Sequence, residues 1–294
     1  MKLRRLVASL VLALGLLAAA AASPVAHAQE MSAAELSAAL AQLTGPDAAA
    51  RMAAAELVGR RAGAHRAEAT PVLRGLLRDD PEWSVRASAG RALGRLAARD
   101  SVPDLVRALR DPVVDVRVVA AAAIGRLPDP AAVPGLIELL TDADASARQW
   151  ATLALGVIRD TRAVVPLVAL LHDPEVSLRV DVVRSLGRIR DPRALAPLVA
   201  FVRERGRRPE ERTEAISAIA GLEGPERMDA LARLLDHSDR VVRQHAAEAL
   251  GQFGDALVLP SLRHRLGMER SREVRVALEA AIAAVQDRAS SVPH

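Results

Sequence analysis

The sequence contains no cysteine and no tyrosine, and Lys2 is its single lysine. Without cysteine the chain forms no disulfide, no thiolate nucleophile, no thiolate metal site and no lipidated cysteine. Its four aromatic side chains are Trp83, Trp150, Phe201 and Phe253, so an aromatic core and a stacking platform for bases or sugars are disfavoured. Alanine, leucine and valine supply most of a 51% hydrophobic fraction, which excludes a disordered chain.

The charge of the chain gives little support for nucleic-acid binding. Residues 1–28 hold three basic residues and no acidic one, so removing them lowers the formal net charge from +4 to +1. Binding to nucleic acid requires basic side chains clustered on one face. We therefore expect no nucleic-acid partner.

Residues 1–28 have the pattern of a secretory signal peptide. A basic start is followed by an uncharged apolar stretch and by the small residues Ala26 and Ala28, which favours cleavage before Gln29. The alternative is an uncleaved signal anchor, because Leu6–Ala26 is just long enough to span a bilayer. Every later apolar stretch is interrupted by charged residues. The sequence thus predicts an exported protein, periplasmic or secreted, with no membrane span after cleavage.

The remainder of the chain repeats with a period close to 31 residues. Four segments align without a gap: VRASAGRALGRL, VRVVAAAAIGRL, ARQWATLALGVI and LRVDVVRSLGRI. Counted from the arginine in each, a small residue recurs at +3, an apolar residue at +7 and a glycine at +8, as in a helix that packs closely on a neighbour. With weaker copies included, the repeat arginines are Arg51, Arg86, Arg117, Arg148, Arg179, Arg212, Arg243 and Arg275.

Each unit also begins with a first helix. A capping box at Ser32 starts the first of them, and prolines mark the first turn of five others. We expect Asp111-Pro112 and Asp173-Pro174 to be an N-cap and an N1 proline that start second helices. Two short helices per unit leave no length for strands, and each pair exposes an apolar stripe that only the next pair covers. The sequence predicts an all-α solenoid of about eight helix pairs over residues 29–287, with a frayed tail at 288–294.

Charged residues at fixed spacing predict a structural ladder along the stack. An aspartate precedes each of the four central repeat arginines by six residues, and we expect each arginine to reach its own aspartate and a neighbouring turn. Two departures are the missing aspartate before Arg212, where Glu211 replaces the usual valine, and the displaced Asp236 before Arg243. The predicted ladder residues are Asp80, Arg86, Asp111, Arg117, Asp142, Arg148, Asp173 and Arg179.

The pattern Asp-Pro-x-x-x-Val-Arg-x-x-Ala-x-x-Ala-Leu-Gly-x-Leu resembles HEAT repeats, and specifically the short subclass named after phycobilisome lyases. The resemblance covers about residues 32–287. It implies a right-handed α-solenoid whose second helices line the concave face. Most such proteins are scaffolds or adaptors, and a minority attach bilin chromophores to antenna proteins.

Second-helix positions +2, +5 and +9 are expected to border the concave face. In the fourth unit these positions are apolar, and the flanking units place arginines there. An aromatic residue with an arginine rim is typical of a binding hot spot; the alternative is that Trp150 fills space against an alanine-rich neighbour. The candidate partner-binding residues are Trp150, Leu153, Val157, Arg126, Arg184, Arg188, Arg91 and Arg95. The arginine-rich insertion at 203–211 is a tolerated surface loop or a contact for an acidic partner.

No catalytic, metal-ligating or phosphate-binding pattern emerges from the sequence, so we expect neither enzymatic activity nor a cofactor. The functional prediction is a monomeric scaffold of the cell envelope or secreted space that binds another protein or peptide through the concave face. Two alternatives stay open: a lyase-like protein for chromophore attachment, and a binder of a small anionic ligand on the arginine-rimmed face.

Overall fold

A computed structural model describes residues 30–290 of the chain. Sixteen α-helices follow one another in this range without any β-strand, which confirms the predicted all-α solenoid of eight helix pairs. The predicted signal peptide at 1–28 lies outside the described residues. None of the described helices is long and apolar enough to cross a membrane.

The helices alternate between a first and a second helix in each of eight units. The first helices are α1 (Ala33–Leu43), α3 (Arg66–Asp79), α5 (Val102–Ala108), α7 (Val133–Leu139), α9 (Val164–Ala169), α11 (Leu195–Arg203), α13 (Glu226–Leu234) and α15 (Leu259–Met268). The second helices are α2 (Ala48–Arg61), α4 (Trp83–Arg95), α6 (Val114–Arg126), α8 (Ala145–Ile158), α10 (Val176–Ile189), α12 (Pro209–Gly221), α14 (Arg240–Phe253) and α16 (Arg272–Ser290).

Successive second helices pack directly on one another, and the repeat glycine makes this possible. A Cβ atom added to Gly94 would lie 2.9 Å from the Cβ of Ala123, and one added to Gly59 would lie 2.7 Å from the Cα of Ala92. Side chains do not tolerate such approaches, so glycine at +8 lets the backbones of neighbouring units come close.

The apolar residue at +7 lies at the centre of each unit. It has no accessible surface in the first seven units, where it packs between its own first helix and the adjoining second helices. Ile282 of the last unit is only half-buried, because no further unit covers it in the described chain. The seven fully buried residues are Val58, Leu93, Ile124, Leu155, Leu186, Ile219 and Leu250.

The turn between the two helices differs from the predicted one. The capping box at Ser32 is present, but α6 begins at Val114 with Val113 as its N-cap, and Pro112 lies outside the helix. The carboxylate of Asp111 instead accepts the amide of Val113 at 2.9 Å, closing a local turn. Asp111-Pro112 therefore forms the turn before the helix rather than its first residues, and α10 begins in the same way after Asp173-Pro174.

The last helix extends three residues past the predicted boundary at 287, because it reaches Ser290. Arg288 donates hydrogen bonds to the carbonyl oxygens of Gly251 at 2.5 Å and Gly254 at 2.9 Å. These bonds hold the end of α16 on the preceding unit. Residues 291–294, the remainder of the predicted tail, lie outside the described residues.

Candidate binding surface

The ion pairs of the charged ladder join neighbouring units, while each arginine also bonds backbone oxygens of its own unit. Nε and Nη2 of Arg86 donate to the carboxylate of Asp111 in the next unit at 2.8 and 2.9 Å, while Nη1 donates to the carbonyl oxygens of Asp80 and Pro81 at 2.9 and 3.1 Å. Each of the four central ladder arginines therefore reaches its own aspartate and a neighbouring turn, as predicted, but it contacts its own aspartate only through the backbone carbonyl. The same arrangement joins Arg51 to Asp80, Arg117 to Asp142, Arg148 to Asp173 and Arg243 to Glu269.

Arginine and amide donors lower the pKa of the ladder carboxylates Asp111, Asp142 and Glu269. Burial of Asp111 raises its pKa, but hydrogen bonds from Arg86 and the Val113 amide lower it by more, so the pKa of Asp111 lies below its ordinary value. The same balance lowers the pKa of Asp142. The hydrogen bond from Arg243 is the main cause of a strongly lowered pKa at Glu269. We interpret these carboxylates as structural, because the arginines that donate to them are hydrogen-bonded within the stack.

Glu211 supplies the ladder carboxylate that the sequence lacks in the sixth unit. Its side chain has no accessible surface. It accepts Nε of Arg179 at 2.7 Å and the amide of Arg208 at 2.9 Å, and the guanidinium of Arg207 lies 3.5 Å away. A glutamate at −1, one methylene longer than aspartate, thus reaches the position that an aspartate at −6 takes in the other units.

Asp236, the displaced aspartate before Arg243, takes no part in the ladder. Arg212 donates to the carboxylate of Asp239 at 2.6 Å, and Asp239 is the N-cap of α14. Asp236 has an exposed side chain 3.6 Å from Arg265. The N-cap of the next second helix therefore takes the place of the displaced aspartate.

Trp150, Leu153 and Val157 lie on one side of α8, and we call them the α8 stripe. Residues three and four positions apart are neighbours on a helix surface. Trp150 is 41% exposed and Val157 is 42% exposed, while Leu153 is half-buried. Part of the indole of Trp150 is therefore open to a partner, and this exposure favours the binding interpretation.

Two of the predicted rim arginines are engaged inside the stack. Arg91 lies 3.3 Å from Glu56 of the preceding second helix. Arg184 lies 3.1 Å from Asp181 and 3.2 Å from Glu214 of the following second helix. Their charges are balanced within the molecule, so these two residues are poorer candidates for partner binding.

The remaining rim arginines are free. Arg95, Arg126 and Arg188 are exposed, and within residues 30–290 their side chains form no hydrogen bond or ion pair. Arg126 and Arg188 occupy the +9 position of α6 and α10, the two helices that pack against α8 on either side. The structure therefore places an unpaired guanidinium group on each side of Val157, which is the +9 residue of α8.

One arginine of the arginine-rich insertion, Arg207, is committed to internal contacts. The guanidinium carbon of Arg207 lies 4.1 Å from the centre of the Phe201 ring, a cation–π arrangement, and Arg207 donates to Glu204 at 3.0 and 2.6 Å. Gly206 has a φ of +84°, which turns the chain back over Phe201. Arg205 at the tip is exposed. This arrangement favours the interpretation of a surface loop.

A second set of cross-unit bonds was missed by the sequence reasoning. Arg162 and Arg193 donate to the carbonyl oxygens of Pro130 and Thr161, one unit earlier, at 3.1 and 2.9 Å. Each arginine is also paired with the aspartate two residues before it, at 2.7 Å. The signal was available, because two Asp-x-Arg segments lie 31 residues apart in the sequence. These residues stabilise the turn between units and leave the α8 stripe unaffected.

Comparison with known proteins agrees with this geometry. A family described as HEAT repeats matches residues 36–115, 70–156, 103–181, 133–208 and 204–283. The chain belongs to the HEAT-repeat family. A search of curated proteins gave no match.

Three solved structures are similar to this HEAT-repeat chain over most of its length. An engineered protein is 21% identical with a TM-score of 0.55, covering 85% of this chain and 78% of its own. The complex of CpcE and CpcF of phycocyanin lyase from Nostoc sp. PCC7120 is 21% identical with a TM-score of 0.48, covering 90% and 98%. Human deoxyhypusine hydroxylase is 24% identical with a TM-score of 0.38, covering 76% and 85%. At these identities the likeness is one of fold alone.

Proposed function

We propose that this HEAT-repeat protein is an exported, non-catalytic scaffold that binds another protein or peptide through the face formed by its second helices. The observation that carries the proposal is the α8 stripe. Trp150 is 41% exposed in the middle of the stack, at a position where the flanking units have Val119 and Asp181. The repeat itself does not require an indole there, so binding is the better account of it.

The surroundings of the stripe support a role in recognition. Aromatic anchors surrounded by arginine are enriched where binding energy is concentrated. Trp150 is held on a helix whose neighbours are fixed by the ladder, so its position is set before a partner arrives. A preorganised anchor loses less conformational entropy on binding than one on a loop.

The absence of catalytic activity and of a cofactor is part of the proposal. Among residues 30–290 no group of three or more potential metal ligands occurs, and the ladder carboxylates are occupied by arginine. We propose that the protein acts as a monomer after export, with Gln29 as the first residue of the mature chain.

Site-specific photocrosslinking tests the proposal. A photoreactive amino acid replaces Trp150 in the protein expressed in its own cells, and irradiated envelope and secreted fractions are examined for covalent adducts by mass spectrometry. Trp83 is the matched control, because it is also a tryptophan, is 44% exposed and lies at the start of a second helix. We expect one recurring adduct from position 150 and none of the same mass from position 83.

Adducts of equal yield and identity from both positions would contradict the proposal, because they would show random encounter rather than a binding surface. A specific adduct from position 83 alone would place the binding surface elsewhere on the solenoid.

A further inference from the structure

Four second helices carry an arginine at the same position, nine residues after the ladder arginine. All four guanidinium groups are exposed, and within residues 30–290 none of them takes part in a hydrogen bond or ion pair. We call them the arginine row. Its members, on α2, α4, α6 and α10, are Arg60, Arg95, Arg126 and Arg188.

The requirements of the fold do not explain the arginine row. A cation in the last turn of a helix contributes only about 0.3–1 kcal/mol at an exposed site. The equivalent residues of three other units are Val157, Gly221 and Gln252, and their helices form without a cation. By contrast, ladder arginines such as Arg86 are occupied by carboxylate and carbonyl oxygens. The row is therefore a set of donors left open to an external anion.

The spacing of the row matches an extended chain. Close contact between Gly94 and Ala123 places neighbouring second helices about 8–10 Å apart, as packed helices are. A polyproline II segment advances about 9 Å for every three residues and returns every third side chain to the same side. If every third residue of such a segment is acidic, three successive acidic side chains meet the arginine row at α2, α4 and α6. The next such position meets Val157 of α8, and the one after it meets Arg188.

The charge of the surrounding face limits where an acidic segment can lie. At positions +2, +5 and +9 of α2 to α10 there are six arginines and two acids. Arg91 is paired with Glu56 and Arg184 with Asp181, which leaves the four arginines of the row. At the same positions of α12 and α14 there are two acids, Glu214 and Glu248, and no arginine. Glu214 is balanced by Arg184, and these positions of the sixth and seventh units supply no arginine. An anionic chain is therefore attracted to the first five units rather than to these two.

We propose that the arginine row and the α8 stripe together bind an acidic, extended polypeptide segment, with carboxylates at every third residue and an apolar residue over α8. This inference rests on the proposed function and names the chemistry of its partner.

Fluorescence anisotropy with synthetic peptides tests the match. The probe is a labelled proline-rich peptide with glutamate at every third position and leucine in place of the fourth glutamate. The comparison peptide has the same composition with its glutamates adjacent. We expect the spaced peptide to bind at least about tenfold more tightly at moderate salt, because only its carboxylates reach separate guanidinium groups. Equal affinity of the two peptides would overturn the proposal.

Paired substitutions distinguish binding at the arginine row from general attraction of the acidic peptide to exposed arginines. Arg95→Gln with Arg126→Gln should weaken binding of the spaced peptide at least about tenfold, since each lost charged hydrogen bond is worth more than a neutral one. Arg233→Gln with Arg263→Gln is the matched control, because both are exposed arginines of first helices without a side-chain partner in the described chain. An equal loss in the control pair would refute the row as a site.

Competition with inorganic phosphate and with an oligonucleotide tests whether the ligand is a polypeptide. If millimolar inorganic phosphate displaces the spaced peptide, or a single-stranded oligonucleotide of equal charge binds as tightly, the assignment to an acidic polypeptide is wrong. If both peptides fail to bind while position 150 still crosslinks to a protein, this inference fails and the proposed function stands. If the spaced peptide binds and no crosslink forms at position 150, the row is supported and the role of Trp150 is wrong.

Discussion

Removal of one ladder arginine in the middle of the stack tests how the solenoid is held together. Nε and Nη2 of Arg148 donate to Asp173 at 2.9 and 3.2 Å, and Nη1 donates to the carbonyl oxygens of Asp142 and Ala143 at 2.9 and 3.1 Å. The side chains of Arg148 and Asp173 are 13% and 5% exposed. Arg148→Ala therefore leaves a nearly buried carboxylate without its guanidinium group.

The expected loss follows from that burial. Removing one partner of a buried ion pair destabilises proteins by about 3–5 kcal/mol, and Asp173 keeps a hydrogen bond from the amide of Glu175 at 3.0 Å. Asp173 is also close enough to the surface for water to reach it. We expect Arg148→Ala to lower the free energy of unfolding by about 3 kcal/mol, at the lower end of that range.

Urea denaturation followed by far-ultraviolet circular dichroism measures this loss. Arg162→Ala is the control: its guanidinium group is 55% exposed, and its bonds to Asp160 and to the carbonyl oxygen of Pro130 lie at the surface, so a loss below about 1 kcal/mol is expected. Because repeat arrays depart from two-state unfolding, tryptophan fluorescence should be recorded in parallel. A loss below about 0.5 kcal/mol for Arg148→Ala, or equal losses for both variants, would refute the structural role of the ladder.

Three further outcomes are expected. Glu211→Ala should lower the free energy of unfolding by about 3 kcal/mol or more by urea denaturation, because Glu211 is a buried ladder partner; Glu210→Ala, whose side chain is 59% exposed, should change it by less than about 0.5 kcal/mol. Since the folded-state pKa values of Asp111, Asp142 and Glu269 are lowered, their stabilisation should be full above about pH 5 and fall as the pH drops below their ordinary values of 3.8 and 4.5; thermal melts that do not change from pH 6 to 3 would contradict this. N-terminal sequencing of the protein from a secreted or envelope fraction should begin at Gln29, and a start at Met1 would contradict cleavage.

The repeat could be predicted from the sequence because the residues that define it lie at fixed spacing within single helices. Arginine, alanine and glycine at fixed spacing predicted the helices, their number and the close packing at Gly94. The pairing of the ladder was predictable only in part. Sequence spacing predicted that Arg86 reaches Asp80 and a neighbouring turn, but not that the acceptors are the carbonyl oxygen of Asp80 and the carboxylate of Asp111 in the next unit. Which unit supplies the carboxylate depends on the displacement between units, and a single repeat does not encode that displacement.

Irregular units show a second limit of sequence reasoning. Glu211 interrupts the apolar pattern, and the sixth unit lacks the usual ladder aspartate in the sequence. The longer side chain of Glu211 supplies the ladder carboxylate from a different backbone position. Arg207 looked like part of a charged surface loop, but it stacks on Phe201. In both cases side-chain reach decided the contact, and the residue type alone did not reveal it.

The sequence predicted which residues form the candidate surface, but not how exposed each of them is. A helical wheel places Trp150, Leu153 and Val157 on one side of α8, but the free surface of an indole depends on the adjoining helices. Arg184 is paired with Glu214, whereas Arg188 has no such partner among residues 30–290. This difference likewise depends on side chains from different units. Three-dimensional packing therefore separates the engaged arginines from the free ones.

Titration of the crosslinked partner against Trp150→Ala and Trp83→Ala tests the central claim most directly. The account predicts that Trp150→Ala weakens partner binding by more than about 2 kcal/mol, with the helical circular dichroism signal intact. Trp83→Ala should bind as tightly as the unsubstituted protein. If Trp150→Ala instead lowers the melting temperature sharply and leaves the affinity unchanged, Trp150 serves packing and the second-helix face around α8 is not the binding surface.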